Sequence, residues 1–198
     1  MEVEETKTLD NFNFDELLGK IDFKKLYGLG GAFLVSPLSE SKTFSKEMFS
    51  EDQKMFADAA YDYATKRMRP VKDQLQKLNK ELTLEIFKEL GEMGFLGVDM
   101  PEEYGGSNLD KTTAAIVVDY LAFSECASIM VTLGAHSGIG ALPIVWYGNE
   151  EQKKKYLPKI ASGDWLASFA LTEPNAGSDA MNGESTAYLN EEKTHYIL

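Results

Sequence analysis

The 198-residue sequence has one cysteine, Cys126, and only two histidines. A single thiol closes no internal disulfide and cannot supply the thiolates of a structural zinc or iron–sulfur centre, so the chain suits a reducing compartment and no metal site is expected. Cys126 follows Glu125 in an apolar run with no basic neighbour in sequence, and it reads as core filler rather than as a nucleophile. Basic charge is also scarce: 20 Lys and Arg against 32 Asp and Glu leave a formal net charge of −12. With no broad positive field to gather phosphate backbone, nucleic acid is not expected as a partner. The opening Met1-Glu2-Val3-Glu4-Glu5 lacks both the basic region of a secretion signal and the arginine-rich, acid-poor composition of a transit peptide, so a cytoplasmic, bacterial location is expected.

A different absence marks the middle of the chain. From Cys126 to Asn149 there is no Asp, Glu, Lys or Arg, which is long enough to cross a bilayer. His136, several hydroxyls, four glycines and Pro143 interrupt the stretch, and its flanks are acidic as well as basic, which argues against a span. A buried helix pair is expected instead, with neighbours on all sides and hence a multi-helix packing around it. No integral membrane segment is expected.

What is present divides the chain in three. Residues 1–49 have weak patterning and read as an extended arm. Their glycine cluster Gly28-Leu29-Gly30-Gly31 has neither a preceding strand nor a following helix start in the spacing of a dinucleotide fingerprint, so it reads as a bend. Ser50-Glu51-Asp52-Gln53 is a capping box, after which Met55, Phe56, Ala59, Ala60 and Tyr63 recur on one helical face. Pro70 is expected to end or kink that helix, with a further amphipathic piece reaching Asn79. A second helix is expected over Thr83–Met93, burying Ile86, Phe87, Leu90 and Met93, with Gly94 as its left-handed stop. Asp110 caps a third helix through Phe123, and Asn149 caps a later one through Ile160. Residues 50–162 therefore predict an α-helical domain. Beyond Gly163 the period turns toward two, and Trp165–Leu171, Ser185–Leu189 and His195–Leu198 read as the first strands of a separate β domain. The apolar end Tyr196-Ile197-Leu198 reads as a strand cut through. The expected fold class is mostly α, with an incomplete β portion over 163–198.

The chemistry-bearing segment is Phe169-Ala170-Leu171-Thr172-Glu173-Pro174-Asn175-Ala176-Gly177-Ser178-Asp179. A strand end turning through Pro174, Asn175 and Gly177 exposes backbone N–H groups beside the hydroxyls of Thr172 and Ser178. Such a concavity suits an acceptor-rich anionic or heteroaromatic ligand, and a purely structural capped turn explains the same residues.

At these residues the sequence resembles the acyl-CoA dehydrogenase family. Its signature (small, aliphatic, Ser or Thr, Glu, two variable positions, small, Gly, Ser or Thr, Asp) is met throughout from Ala170 to Asp179, while Asn182 stands where a further small residue is usual. Pro101-Glu102-Glu103-Tyr104-Gly105-Gly106, Thr132-Leu133-Gly134-Ala135-His136, Tyr147-Gly148, Gln152-Lys153 and Tyr156-Leu157-Pro158 look like further family landmarks in the right order. The likeness covers residues 50–198. Gly30-Gly31-Ala32-Phe33-Leu34-Val35 with Thr132–His136 looks like the very-long-chain branch and its bacterial relatives.

The resemblance implies a helical N-terminal domain, a middle β-barrel domain and a C-terminal helical bundle that together hold FAD and a fatty acyl-CoA thioester. A carboxylate base removes the α-proton while the β-hydrogen leaves as hydride to the flavin, in fatty acid β-oxidation. It implies cofactor contacts from Phe169, Ala170, Leu171, Thr172, Gly177 and Ser178, a substrate contact from Ser178, an electron-transfer flavoprotein as acceptor, and a homo-oligomer. Glu173 is assigned to the loop's structure and the base to the C-terminal domain, so no catalytic residue is expected in this chain. His136 is expected as a hydrogen-bonded core histidine, and His195 carries no signal. An acyl-CoA oxidase and a non-catalytic truncated or assembly protein of the same fold are the alternatives.

Overall fold

Four side-chain caps start the principal helices of the computed structural model, which describes residues 44–198 together with Gly19, Lys20, Asp22, Lys25 and Leu34. The chain divides into two units, Met1–Phe49 and Ser50–Leu198. In the first, a 3-10 turn spans Lys46–Met48 and the rings of Phe44 and Phe49 stack at 5.6 Å. Most of the expected arm, including the Gly28–Gly31 cluster, lies outside the described residues.

In the second unit α1 spans Glu51–Tyr63. The Ser50 hydroxyl accepts from the Gln53 N–H and the Gln53 side chain accepts from the Ser50 N–H, both at 3.1 Å, so two otherwise orphaned amides are satisfied reciprocally. The helix widens to a π segment at Ala64–Met68 and tightens to a 3-10 turn at Arg69–Val71 before α2, Lys72–Gln76. Pro70 has no N–H and its ring opposes the carbonyl four residues back, so the break expected there takes the form of a change in helix type. The next helix, α3, runs Lys80–Glu92 and begins three residues before the expected Thr83, because the Asn79 side chain accepts from the Leu82 N–H at 3.2 Å and acts as the cap. Gly94 follows at φ +76°, the conformation of a glycine stop. Asp110 caps α4, Lys111–Leu121, which continues as a 3-10 turn over Ala122–Ser124. The charge-free stretch forms α5, Ala127–Leu133, a π segment at Gly134–Gly140, and α6, Leu142–Tyr147. Asn149 and Gln152 form a second capping box ahead of α7, Glu150–Ala161.

The main core joins Ala60, Ala64 and Met68 to Phe87, Leu90, Val117, Leu121 and Ile129, and a smaller one joins Met100, Tyr104, Ala141, Leu157 and Ile160. Cys126 is buried, its Sγ 3.4 Å from the Ser128 hydroxyl, in keeping with core filler.

Four expectations are corrected. Met55 is 62% exposed: α1 packs against α4 and its buried positions are the small residues Ala57 and Ala60, so Met55 lies outside the buried face. Met93 caps α3 and is also exposed. The charge-free stretch is not enclosed, since Ile129, Leu133, His136 and Ala141 face inward while Val131, Ile139, Trp146 and Tyr147 face outward. Ala127–Tyr147 is long and apolar enough by length and composition to cross a membrane, yet its inner face is part of both cores. Finally, Trp165–Leu171 is no strand, having no ladder partner among the described residues. Pairing is confined to β1, Tyr188–Leu189, and β2, Tyr196–Ile197, an antiparallel hairpin with Tyr188 opposite Ile197 and Leu189 opposite Tyr196. The Asn190 side chain closes its turn by accepting from the amides of Thr194 and His195. His195 itself is exposed beside the Thr194 hydroxyl.

Candidate functional site

The chain leaves α7 through a close backbone crossing. A Cβ on Gly91 would overlap the Ser162 carbonyl, and one on Gly163, at φ +74°, would overlap the Phe87 carbonyl, so α3 and the end of α7 meet backbone to backbone. An ion pair of 2.6 Å between Lys88 and Asp164 closes the crossing and holds the Asp164 carboxyl below its ordinary value. The exit is then held at two amides. The Trp165 N–H donates to the Lys159 carbonyl at 3.0 Å, with the indole under the Lys159 ammonium at 4.0 Å. The Ala167 N–H donates to His136 Nδ1 at 3.1 Å.

That second bond settles the imidazole. With Nδ1 accepting, Nε2 carries the proton and donates to the Ile160 carbonyl at 3.1 Å, so the neutral ring is fully satisfied. Burial pushes its pKa below the ordinary value, opposed by the Ile160 bond. His136 lies edge-on to Phe87, 5.3 Å between centroids, and is the hydrogen-bonded core histidine expected.

Beyond Ala167 the chain runs exposed into the signature. Glu173 and Ala176 exchange both backbone hydrogen bonds, at 3.0 and 3.2 Å, around Pro174 and Asn175 at the turn positions that suit them. Ala176 is the buried pivot. The Glu173 carboxylate reaches across the loop and accepts from the amides of Glu184 at 2.7 Å and Ser185 at 3.1 Å. The bond from the Glu184 amide, aided by Ser185, holds its pKa below the ordinary carboxylate value. Both of those bonds are structural, and they account for Glu173 as a clip.

Around this pivot Phe169, Ala170, Leu171, Thr172, Gly177 and Ser178 are all exposed, and a Cβ on Gly177 would meet nothing within 4 Å. Among the described residues no partner takes the amides of Leu171, Thr172, Gly177 or Ser178. Unspent donors beside the apolar surfaces of Phe169 and Leu171 fit a ligand with a flat ring and an acceptor-rich edge, the chemistry of a flavin. Sequence reasoning missed the second support of the loop. Glu184 and Ser185 act through their backbone, and Gly183 leaves room for the Glu173 carboxylate at a Cβ distance of 3.0 Å. None of these roles has a periodic signature.

The remaining landmarks are packing devices. Tyr104 is buried and its hydroxyl donates to Glu150 at 2.9 Å, tying the 101–106 loop to α7, while Gly105 turns at φ +88°. A separate apolar cleft of about 670 Å³ between α4 and the α5–α6 stretch, lined by Val98, Ala114, Val118, Gly138 and Trp146 with the Lys111–Asp99 pair alongside, contains none of the expected site residues.

Residues 50–164 match the model of the acyl-CoA dehydrogenase N-terminal domain. A probable acyl-CoA dehydrogenase of Bacillus subtilis (strain 168) is 45% identical over 169 residues, covering 85% of this chain and 28% of that protein. The very long-chain specific acyl-CoA dehydrogenase, mitochondrial, of Macaca fascicularis is 40% identical over 129 residues, 65% of this chain and 19% of that protein. The crystal structure of acyl-CoA dehydrogenase complexed with FAD from Bacillus anthracis superposes with a TM-score of 0.76 at 46% identity, covering 85% of this chain and 28% of that one. This chain spans 28% of the length of both Bacillus relatives. With the domain match, the caps and the signature turn in agreement, the chain belongs to the acyl-CoA dehydrogenase family.

Proposed function

We propose that this chain supplies the flavin- and thioester-facing turn of an FAD-dependent dehydrogenase that introduces an α,β double bond into fatty acyl-CoA during β-oxidation, on the very-long-chain side of the family. The observation that carries the reading is the signature turn itself: six exposed residues around a buried pivot, with amides unspent and the acidic side chain committed to holding the loop. Bound FAD would supply the two-electron acceptor for the hydrogen leaving the acyl β-carbon. The Thr172 hydroxyl and neighbouring amides donate to the polar edge of the cofactor, Phe169 and Leu171 cover its apolar face with Ala170 between them, and Gly177 allows the backbone to come close. Ser178 donates to the CoA portion of the substrate. Glu173 is not the base, because both hydrogen bonds that define its position are to loop amides, and the carboxylate that takes the α-proton is supplied by residues outside this chain. In this reading the enzyme is a cytoplasmic homo-oligomer that passes electrons to an electron-transfer flavoprotein.

The test uses the complete enzyme that carries this chain. It should purify with a flavin spectrum and bleach anaerobically with fatty acyl-CoA, and no bleaching with any thioester would overturn the reading. Thr172→Ala and Gly177→Val should each lower the flavin content with the fold intact, the second by blocking close approach. Unchanged flavin in both would remove the turn from the cofactor site.

A further inference from the structure

One buried polar group in the bundle is not explained by core packing alone. His136 is fully buried, yet it directs one nitrogen to the last turn of α7 and the other to the chain that has just left it. Ala167 lies two residues before Phe169, the first residue of the signature segment. An apolar side chain of the same volume would fill the space beside Phe87, but only a group with a donor and an acceptor side by side joins the Ile160 carbonyl to the Ala167 amide. Gly140, one helical turn further along the same π segment, makes room for the approach: a Cβ there would stand 2.7 Å from the Ala167 Cβ. The Trp165 amide, bonded to the Lys159 carbonyl, holds the other end of the same short segment. In an extended chain alternate amides point to the same edge, so fixing Trp165 and Ala167 determines which edge faces the bundle and which edge of the following residues faces away.

We propose that His136 is a positioning residue, which, through Nδ1 and with Gly140 beside it, sets the edge and direction in which Phe169–Ser178 are presented to their ligand. The ligand's identity rests on the function proposed above, whereas the clip does not.

Two measurements separate them. On this chain, amide exchange in H136F should be about tenfold faster at Ala167, the size expected for one lost hydrogen bond, with the α3 amides of Phe87 and Leu90 unchanged. H136Q, whose carboxamide again offers an acceptor beside a donor, should return most of the protection. G140A, which leaves the imidazole in place but pushes on Ala167, should loosen the same amide, and it keeps the test open if H136F does not fold. Equal loosening of α3, or no change at Ala167 in both H136F and G140A, would overturn the proposal. In the complete enzyme, H136F or G140A should lose FAD several-fold faster on dilution, with recovery in H136Q. Locally faster exchange with unchanged FAD retention would overturn the positioning role toward the cofactor. A complete enzyme that holds no FAD even unmutated would instead overturn the proposed function, and the exchange result would still decide the clip.

Discussion

Phe87 and Tyr188 are both aromatic residues in regular structure, but Phe87 on α3 is fully buried against the His136 ring whereas Tyr188 is 61% exposed on a two-residue strand. The contrast extends to their surroundings. The helical bundle of residues 50–164 is held by apolar burial on contiguous helix faces. The turn and hairpin of residues 165–198 are held by single polar side chains, Glu173 and Asn190, that gather backbone amides. A region fastened that way keeps backbone donors of the turn exposed for a ligand, whereas the helices of the bundle spend theirs on their own carbonyls.

The largest expected effect tests the burial half. Phe87→Ala should cost about 3–5 kcal/mol in chemical denaturation, while Tyr188→Ala should stay within about 0.5 kcal/mol. Similar costs at the two positions would break the comparison, because the hairpin would then rest on burial as well.

The glycines offer a second, smaller contrast. Gly163→Ala places a Cβ against the Phe87 carbonyl at a left-handed backbone position, and a loss of about 1–3 kcal/mol is expected. Gly177→Ala meets open space at an ordinary φ and should leave stability unchanged or raise it by about 0.4–1 kcal/mol through the unfolded chain. Thermal melts of the two variants decide it, and a destabilised Gly177→Ala would mean that the signature turn is under strain.

The same division governs what could be read from residues alone. Caps are local, so Ser50, Asp110 and Asn149 mark helix starts without knowledge of the fold, and the family signature is likewise contiguous. Which side of a helix becomes the seam is not local. Met55 and Ala57 are two positions apart, and only the approach of α4 selects the alanines. Lack of charge from Cys126 to Asn149 reports apolarity, and it does not distinguish an inner face carrying His136 from an outer face carrying Val131 and Ile139. Alternation over Trp165–Leu171 reports an extended chain, but a strand needs a partner. At the site, the exposed residues were legible as a motif, while the two clips, His136 to Ala167 and Glu173 to Glu184 and Ser185, join positions 31, 11 and 12 residues apart and have no sequence period.

Loss of a cap is the next step down in size. Asn149→Ala removes the acceptor for the Gln152 amide and leaves only the half of the box in which the Gln152 side chain accepts from the backbone N–H at 149, for an expected cost of about 1 kcal/mol in the bundle. Exchange over Glu173–Ser185 should not follow, since those bonds are made within the loop.

Acid should release the two clips in order. The buried His136 has its pKa pushed below 6.5, so the unfolded chain binds the extra proton more readily, and the contribution of the neutral ring is complete above about pH 6.5 and is lost as pH falls below it. Protonation at Nδ1 removes the acceptor for the Ala167 amide. Glu173 is the opposite kind of acid, with its charged form favoured by the Glu184 and Ser185 bonds, and its contribution is complete above 4.5 and is lost only as pH falls further, through its lowered folded value. Protection factors, which remove the intrinsic pH dependence of exchange, should therefore fall at Ala167 as pH drops below about 6.5, and at Glu184 and Ser185 only below 4.5. Glu173→Gln should abolish the second transition and leave the first. If Glu184 and Ser185 lose protection together with Ala167, the loop is held by the bundle rather than by its own carboxylate, and the division between the two regions fails at the residues that define it.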